Sequence, residues 1–216
     1  MHKSKKTANP VKIITYLAGV LLTALGINIL LRSMLGAGAW DTVTHNLSVL
    51  AGITLGTASF SINVVIMAFI ILYNRKLKFL LVILPIIGIA LTIDFWDIIV
   101  FGGYYPGSWW LRIIFYFGGT FILTLGLALM VITRFPAMVF DELTLSLMRL
   151  FKIDSFFITR TIIELFAIAL ATVFGFAAGI GFGAVNVGSF ILALILGPIL
   201  GFQLTWLGRL FNTGLT

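Results

Sequence analysis

The sequence predicts an all-α polytopic membrane protein. It has six transmembrane helices as two inverted three-helix repeats, each repeat with a short amphipathic or re-entrant helix. Three observations predict this. Hydrophobic residues form 61% of the 216-residue chain and charged residues 10%, against about 45–50% and about 25% in a soluble domain. Charge-free apolar runs recur at bilayer length. The chain also repeats itself at a 100-residue offset. With a mean hydropathy of +1.17, a chain this small cannot hide its apolar surface from water, so lipid is the solvent for most of it.

The spans follow in order at about 12–33, 54–73, 78–100, 112–133, 157–178 and 188–208. Ile13 to Leu31 is the first charge-free run, too long for the apolar core of a signal peptide, so the first span stays uncleaved. The third run, from near Phe79, carries Asp94 and Asp97 close to its end. From Leu165 to Gly208 no charge occurs in 44 residues. One helix of that length would be roughly 66 Å, twice the ~30 Å hydrocarbon core, so the chain folds back in its glycine-rich stretch Gly175–Gly183.

Basic residues orient the spans. With the N-terminus in the cytoplasm, the inner segments hold 12 of the 14 Lys and Arg residues and the outer ones only Arg32 and Arg112. This favours both termini inside. Trp96, Tyr104, Tyr105, Trp109 and Trp110 cluster where an outer interfacial belt is expected. The net charge of +7 is thus spent on orientation and implies no nucleic-acid partner.

Sliding the chain by 100 residues aligns Tyr16, Gly19, Leu25, Gly26, Ala37, Asp41, Thr44, Leu47, Leu50 and Ile53 with their counterparts Tyr116 to Ile153, 10 identities in 38 ungapped positions. Chance in so biased a composition gives roughly three or four. The organisation read from this is a basic cytoplasmic tail (1–11), a first three-helix repeat (12–105) and a second (106–210), forming one membrane domain. An odd number of spans per repeat inverts the second relative to the first. Such architectures are typical of secondary transporters with a solute between the halves.

After the first span of each half comes a segment too polar to span and too apolar for a loop. In residues 36–52, Trp40, Val43, Leu47 and Leu50 share one helical face beside Asp41, Thr44, His45 and Ser48. Residues 134–153 repeat the pattern with Phe140, Leu143, Leu147 and Leu150. Each is read as a short helix that lies flat at the interface or dips back into the bilayer.

At these residues the chain resembles the YczE/YyaS/YitT family of bacterial membrane proteins, most closely its YczE branch. The motifs are Gly36-Ala37-Gly38-Ala39-Trp40-Asp41, with Ala39 where that branch usually has Pro, then Gly52-Ile53-Thr54-Leu55-Gly56-Thr57 and Ile87-Gly88 with Asp94. Arg160 with Glu164, Asn186-Val187-Gly188-Ser189 and Gly197-Pro198 follow in the second half. The resemblance covers about residues 12–205. It implies a permease-like integral membrane protein and fixes location more firmly than activity.

Seven residues are candidates for binding a solute: Asp41, Thr44, Asn63, Asp141, Thr144, Arg160 and Glu164. Glu164, two turns inside the fifth span, is either a substrate- or proton-binding acid or one half of an ion pair with Arg160, one turn away. Asn63 is its counterpart in the first half. Asp41 and Asp141 either cap the short helices or face the pathway. Asp94 and Asp97 are expected to be solvated at the outer surface, or to form a mild cation funnel. Gly19, Gly26, Gly119 and Gly126 favour close helix approach.

No enzyme motif is present: no phosphate loop, zinc-protease helix or nucleophile elbow occurs. Without cysteine and with two histidines, neither metal nor cofactor is expected. The first expectation is therefore a secondary transporter or permease for a small polar or amino-acid-like solute. The alternative is a non-transporting accessory protein that scaffolds a membrane-associated enzyme or complex. The partners are the lipid bilayer and a small solute, with a homodimer or a membrane partner protein left open.

Overall fold

The computed structural model describes residues 10–75, 82–133, 135 and 139–210, without the side chain of Asp141. Of the expected tail (1–11), residues 1–9 lie outside them, as do Lys76, Lys78, Arg134 and Ala137, while Pro10 and Val11 are helical. In chain order the helices are α1 (Pro10–Ser33), α2 (Ala39–Ala51), α3 (Leu55–Asn74), α4 (Ile83–Asp94), α5 (Trp109–Ile132), α6 (Val139–Phe151), α7 (Phe156–Ala177) and α8 (Val187–Leu210). A π-helical segment, Phe95–Val100, continues α4. Among the described residues, six helices are long and apolar enough to cross a membrane: α1, α3, α4 with its π-helical segment, α5, α7 and α8. They are the six spans read from the sequence. The short helices are α2 and α6.

The centre of the fold is the crossing of α1 and α5. Small residues let the two backbones touch. A Cβ on Gly19 would fall 2.7 Å from Met130 Cγ and 2.9 Å from the Gly126 carbonyl. One on Gly26 would strike the Leu123 backbone, and one on Gly126 would strike Thr23. Gly119 faces Leu30 at 3.0 Å. Positions rising along α1 meet positions falling along α5, so the two helices run antiparallel. The expectation that these glycines serve packing holds.

The remaining helices pack in related pairs. α2 lies on α7 and α6 on α3; α1 packs with α4 and α5 with α8. Exchanging the halves maps each of these pairs onto another. The pair α3–α4 departs from the pattern, because α7 and α8 do not pack comparably. The main apolar cluster joins Ala39 and Val43 of α2 to Ile163, Ala167 and Ala171 of α7, and Val139 and Leu143 of α6 to Ile62, Ile66 and Ile70 of α3.

Both short helices are re-entrant relative to the spans. The Trp40 ring stacks on Phe140 at 5.0 Å, so the first turns of α2 and α6 meet. They meet beside Ile27, Asn63 and Ile89, each at least six residues from either end of its span, which is about 9 Å in. From there the helices leave in opposite directions. Asn46 of α2 bonds the carbonyl of Phe182 beyond the end of α7, while Ser146 of α6 accepts from Asn74 at the end of α3.

Candidate functional site

Where the two first turns meet, they leave a cavity of about 40 Å³, room for about three water molecules. Trp40, Asp41 and Thr44 line it from α2, Ser59 and Asn63 from α3, and Phe140 from α6, with apolar walls from α1 and α4. The helical period explains the set: Trp40, Asp41 and Thr44 lie within one turn and a third of α2, and Ser59 and Asn63 are one turn apart on α3.

Several polar groups here lack protein partners. Thr44 is 6% exposed and its hydroxyl makes no hydrogen bond among the described residues, unlike Thr144, whose Oγ1 donates to the Phe140 carbonyl at 2.9 Å. Ser59, 7% exposed, accepts a long bond from Asn63 Nδ2 at 3.4 Å. The same Nδ2 donates to the Ser59 carbonyl at 2.8 Å, which leaves Asn63 Oδ1 open. Trp40 Nε1 is buried without an acceptor.

Asp41 is the third residue of α2, and the helix begins at Gly38 without a side-chain cap. Its carboxylate instead reaches back to the Gly38 backbone amide, the return half of a capping box. The capping expectation is met in this form rather than by Asp41 as the cap itself. Burial, and then the charge of Glu164, push Asp41 up to about 7.

Glu164 accepts from Arg160 Nε at 2.9 Å, so the ion pair along α7 forms. Neither residue lines the cavity wall, although the charge of Glu164 reaches Asp41. The structure therefore brings together Asp41, Thr44 and Asn63, with Glu164 nearby. Thr144 lies on α6 with its hydroxyl on its own helix. The side chain of Asp141 lies outside the described residues.

Comparison with known proteins places this geometry in a family. The family model of DUF6198, a family of unknown function, matches residues 10–204. The chain belongs to that family. It is also similar to the "Uncharacterized protein YyaS" of Bacillus subtilis (strain 168), with 29% identity over 170 residues that cover 79% of this chain and 84% of that protein. This agrees with the YyaS part of the resemblance seen in the sequence. No solved structure matches.

Two networks in this family member were missed by sequence reasoning. Arg32, assigned to an outer loop, is 2% exposed and buried at the end of α1. Its Nη2 donates to Asp97 Oδ1 at 2.7 Å and to the Asp97 carbonyl at 3.1 Å, and its Nη1 donates to Asn28 Oδ1 at 2.9 Å. Phe101 and Tyr105 cover the guanidinium at 4.6 and 5.6 Å. Asp97 is thus paired as well as partly exposed to solvent. Asp94 is also engaged: its Oδ1 accepts from the Gly56 amide at 2.6 Å and its Oδ2 from Thr54 at 2.7 Å. A carboxylate there satisfies amides at the start of α3. The spacing of Asn28 and Arg32, one turn apart in an apolar span, was the available signal.

The second network centres on Asn46, which is fully buried. Its Nδ2 donates to the Ala171 and Phe182 carbonyls at 2.8 and 3.1 Å, and its Oδ1 accepts from the Ala184 amide at 3.0 Å. A Cβ on Gly175 or Gly183 would collide with this amide, which gives two of the glycines in the turn before α8 a reason.

Proposed function

We propose that the protein is a small permease-like secondary transporter of the bacterial plasma membrane, with both termini cytoplasmic, that carries a small polar or amino-acid-like solute between two inverted three-helix repeats (12–105 and 106–210). One observation carries this reading: two re-entrant helices from opposite halves meet at mid-span around a cavity with Asp41, Thr44, Ser59 and Asn63 on its wall. Non-helical backbone at that depth is tolerated where it lines a cavity, and solute sites between inverted repeats occupy this position. The paired packing of α2 on α7 and α6 on α3 supports the exchange of halves. The cavity is too small for an amino acid, so this arrangement is a closed one, and binding requires the halves to part. Asp41, Thr44 and Asn63 contact the solute in this reading; Asp141, Thr144, Arg160 and Glu164 serve the second half.

The test is uptake into proteoliposomes across a panel of amino acids and small polar solutes, with melting of the detergent-solubilised protein as a parallel readout. One solute class should be taken up and should stabilise wild type, and Glu164→Gln and Asp41→Asn should reduce both effects. Absence of uptake and stabilisation across the panel, or variants that match wild type, overturns the proposal.

A further inference from the structure

We infer that in this closed arrangement the cavity between the first turns of α2 and α6 holds a small monovalent cation, Na⁺, that couples to solute movement. The inference rests on the transporter reading above and deepens it. Four side chains on the wall carry oxygens: the Asp41 carboxylate, the Thr44 and Ser59 hydroxyls and the Asn63 amide. Hard cations take oxygen ligands of this kind. Among the described residues Thr44 is buried without a hydrogen-bond partner, and the bond from Asn63 Nδ2 to the Ser59 carbonyl leaves the amide oxygen as that side chain's open group.

Size and charge point the same way. About 40 Å³ admits an ion with a water or two and excludes an organic solute. Among the described residues, no basic side chain lines the wall. The N-termini of α2 and α6 each contribute about half a positive charge, and the full carboxylate charge of Asp41 offsets the two together. Trp40 and Phe140 close the site from opposite halves, so occupancy ties the two re-entrant helices together. That is the link a coupling ion needs.

The experiment is thermal melting of the full-length protein in detergent micelles at pH 8, in NaCl, KCl or choline chloride at equal ionic strength. Na⁺ well above its dissociation constant should raise the melting temperature on the order of 5 °C over choline, and K⁺ should raise it less. Asp41→Asn and the near-isosteric Thr44→Val should abolish the Na⁺ effect. Ser59→Ala should weaken Na⁺ affinity roughly tenfold, and Ser61→Ala, off the wall, should leave it unchanged. Equal melting in NaCl and choline chloride overturns the inference. So does a Na⁺ effect that survives in Thr44→Val, or a Na⁺ affinity unchanged in Ser59→Ala. Stabilisation by acidification alone, with none by Na⁺ at pH 8, makes it a proton site and also overturns it. Na⁺ binding without solute uptake would sink the transporter reading and keep the cation site; uptake indifferent to Na⁺ would do the reverse.

Discussion

Removing the Asp97 carboxylate should be among the costliest single substitutions on this protein. Asp97→Asn leaves the Arg32 guanidinium 2% exposed with its charged partner at 2.7 Å gone. Stripping one member from a buried ion pair costs about 3–5 kcal/mol, because a charge is left uncompensated in low dielectric. Here the Asp97 side chain is 31% exposed, so water has access to the site and the expected loss is about 2–3 kcal/mol. The bonds from Arg32 to Asn28 and to the Asp97 carbonyl survive the substitution and also limit the loss. For a chain of this size that is roughly 5–10 °C in melting temperature. The assay is a double-mutant cycle in micelles with Asp97→Asn, Arg32→Met and the pair. Each single variant should lose stability, and the double variant should lose clearly less than their sum, since removing both partners leaves no orphaned charge. Additive losses, or a loss below about 0.5 kcal/mol in Asp97→Asn, would refute the reasoning.

Other outcomes follow from the same geometry. Gly26→Ala should cost about 2 kcal/mol or more, because its Cβ lands on the Leu123 backbone and neither helix can yield cheaply; Gly118→Ala, with open space around it, should be neutral in the same denaturation series. Asn46→Ala removes the bonds to Ala171, Phe182 and Ala184 and should raise amide exchange in residues 178–186 well before the α1–α5 crossing loosens. Asp41 binds its proton more tightly folded, near 7 against an ordinary 3.8. The stability it contributes is full below about 3.8, declines as pH rises and is gone above about 7. Melting scans from pH 5 to 8 should therefore show wild type losing stability relative to Asp41→Asn; parallel curves would be the contrary result.

The spans were legible because each depends on a local quantity, the length of a charge-free apolar run, and their ends fall within a few residues of the helices observed. The short helices were legible through amphipathic periodicity. Their depth was not, because the same pattern suits a helix lying on a membrane and one that returns into it. The partners of Asp94, Asp97 and Arg32 were missed for a related reason. A charge near a span end looks solvated until a partner 38 to 65 residues away is brought beside it.

The sequence by itself determined the solvent, the number of spans and the 100-residue repeat, since hydropathy and identity are properties of the chain read in order. Only the tertiary structure decided that Asp41, Thr44, Ser59 and Asn63 share one cavity, that Glu164 pairs along its helix while acting on Asp41, and that Asn46 holds the turn before α8. Those facts depend on which helices touch. The close backbone approach at Gly19, Gly26 and Gly126 sets the α1–α5 crossing, and the other helices take their places around it.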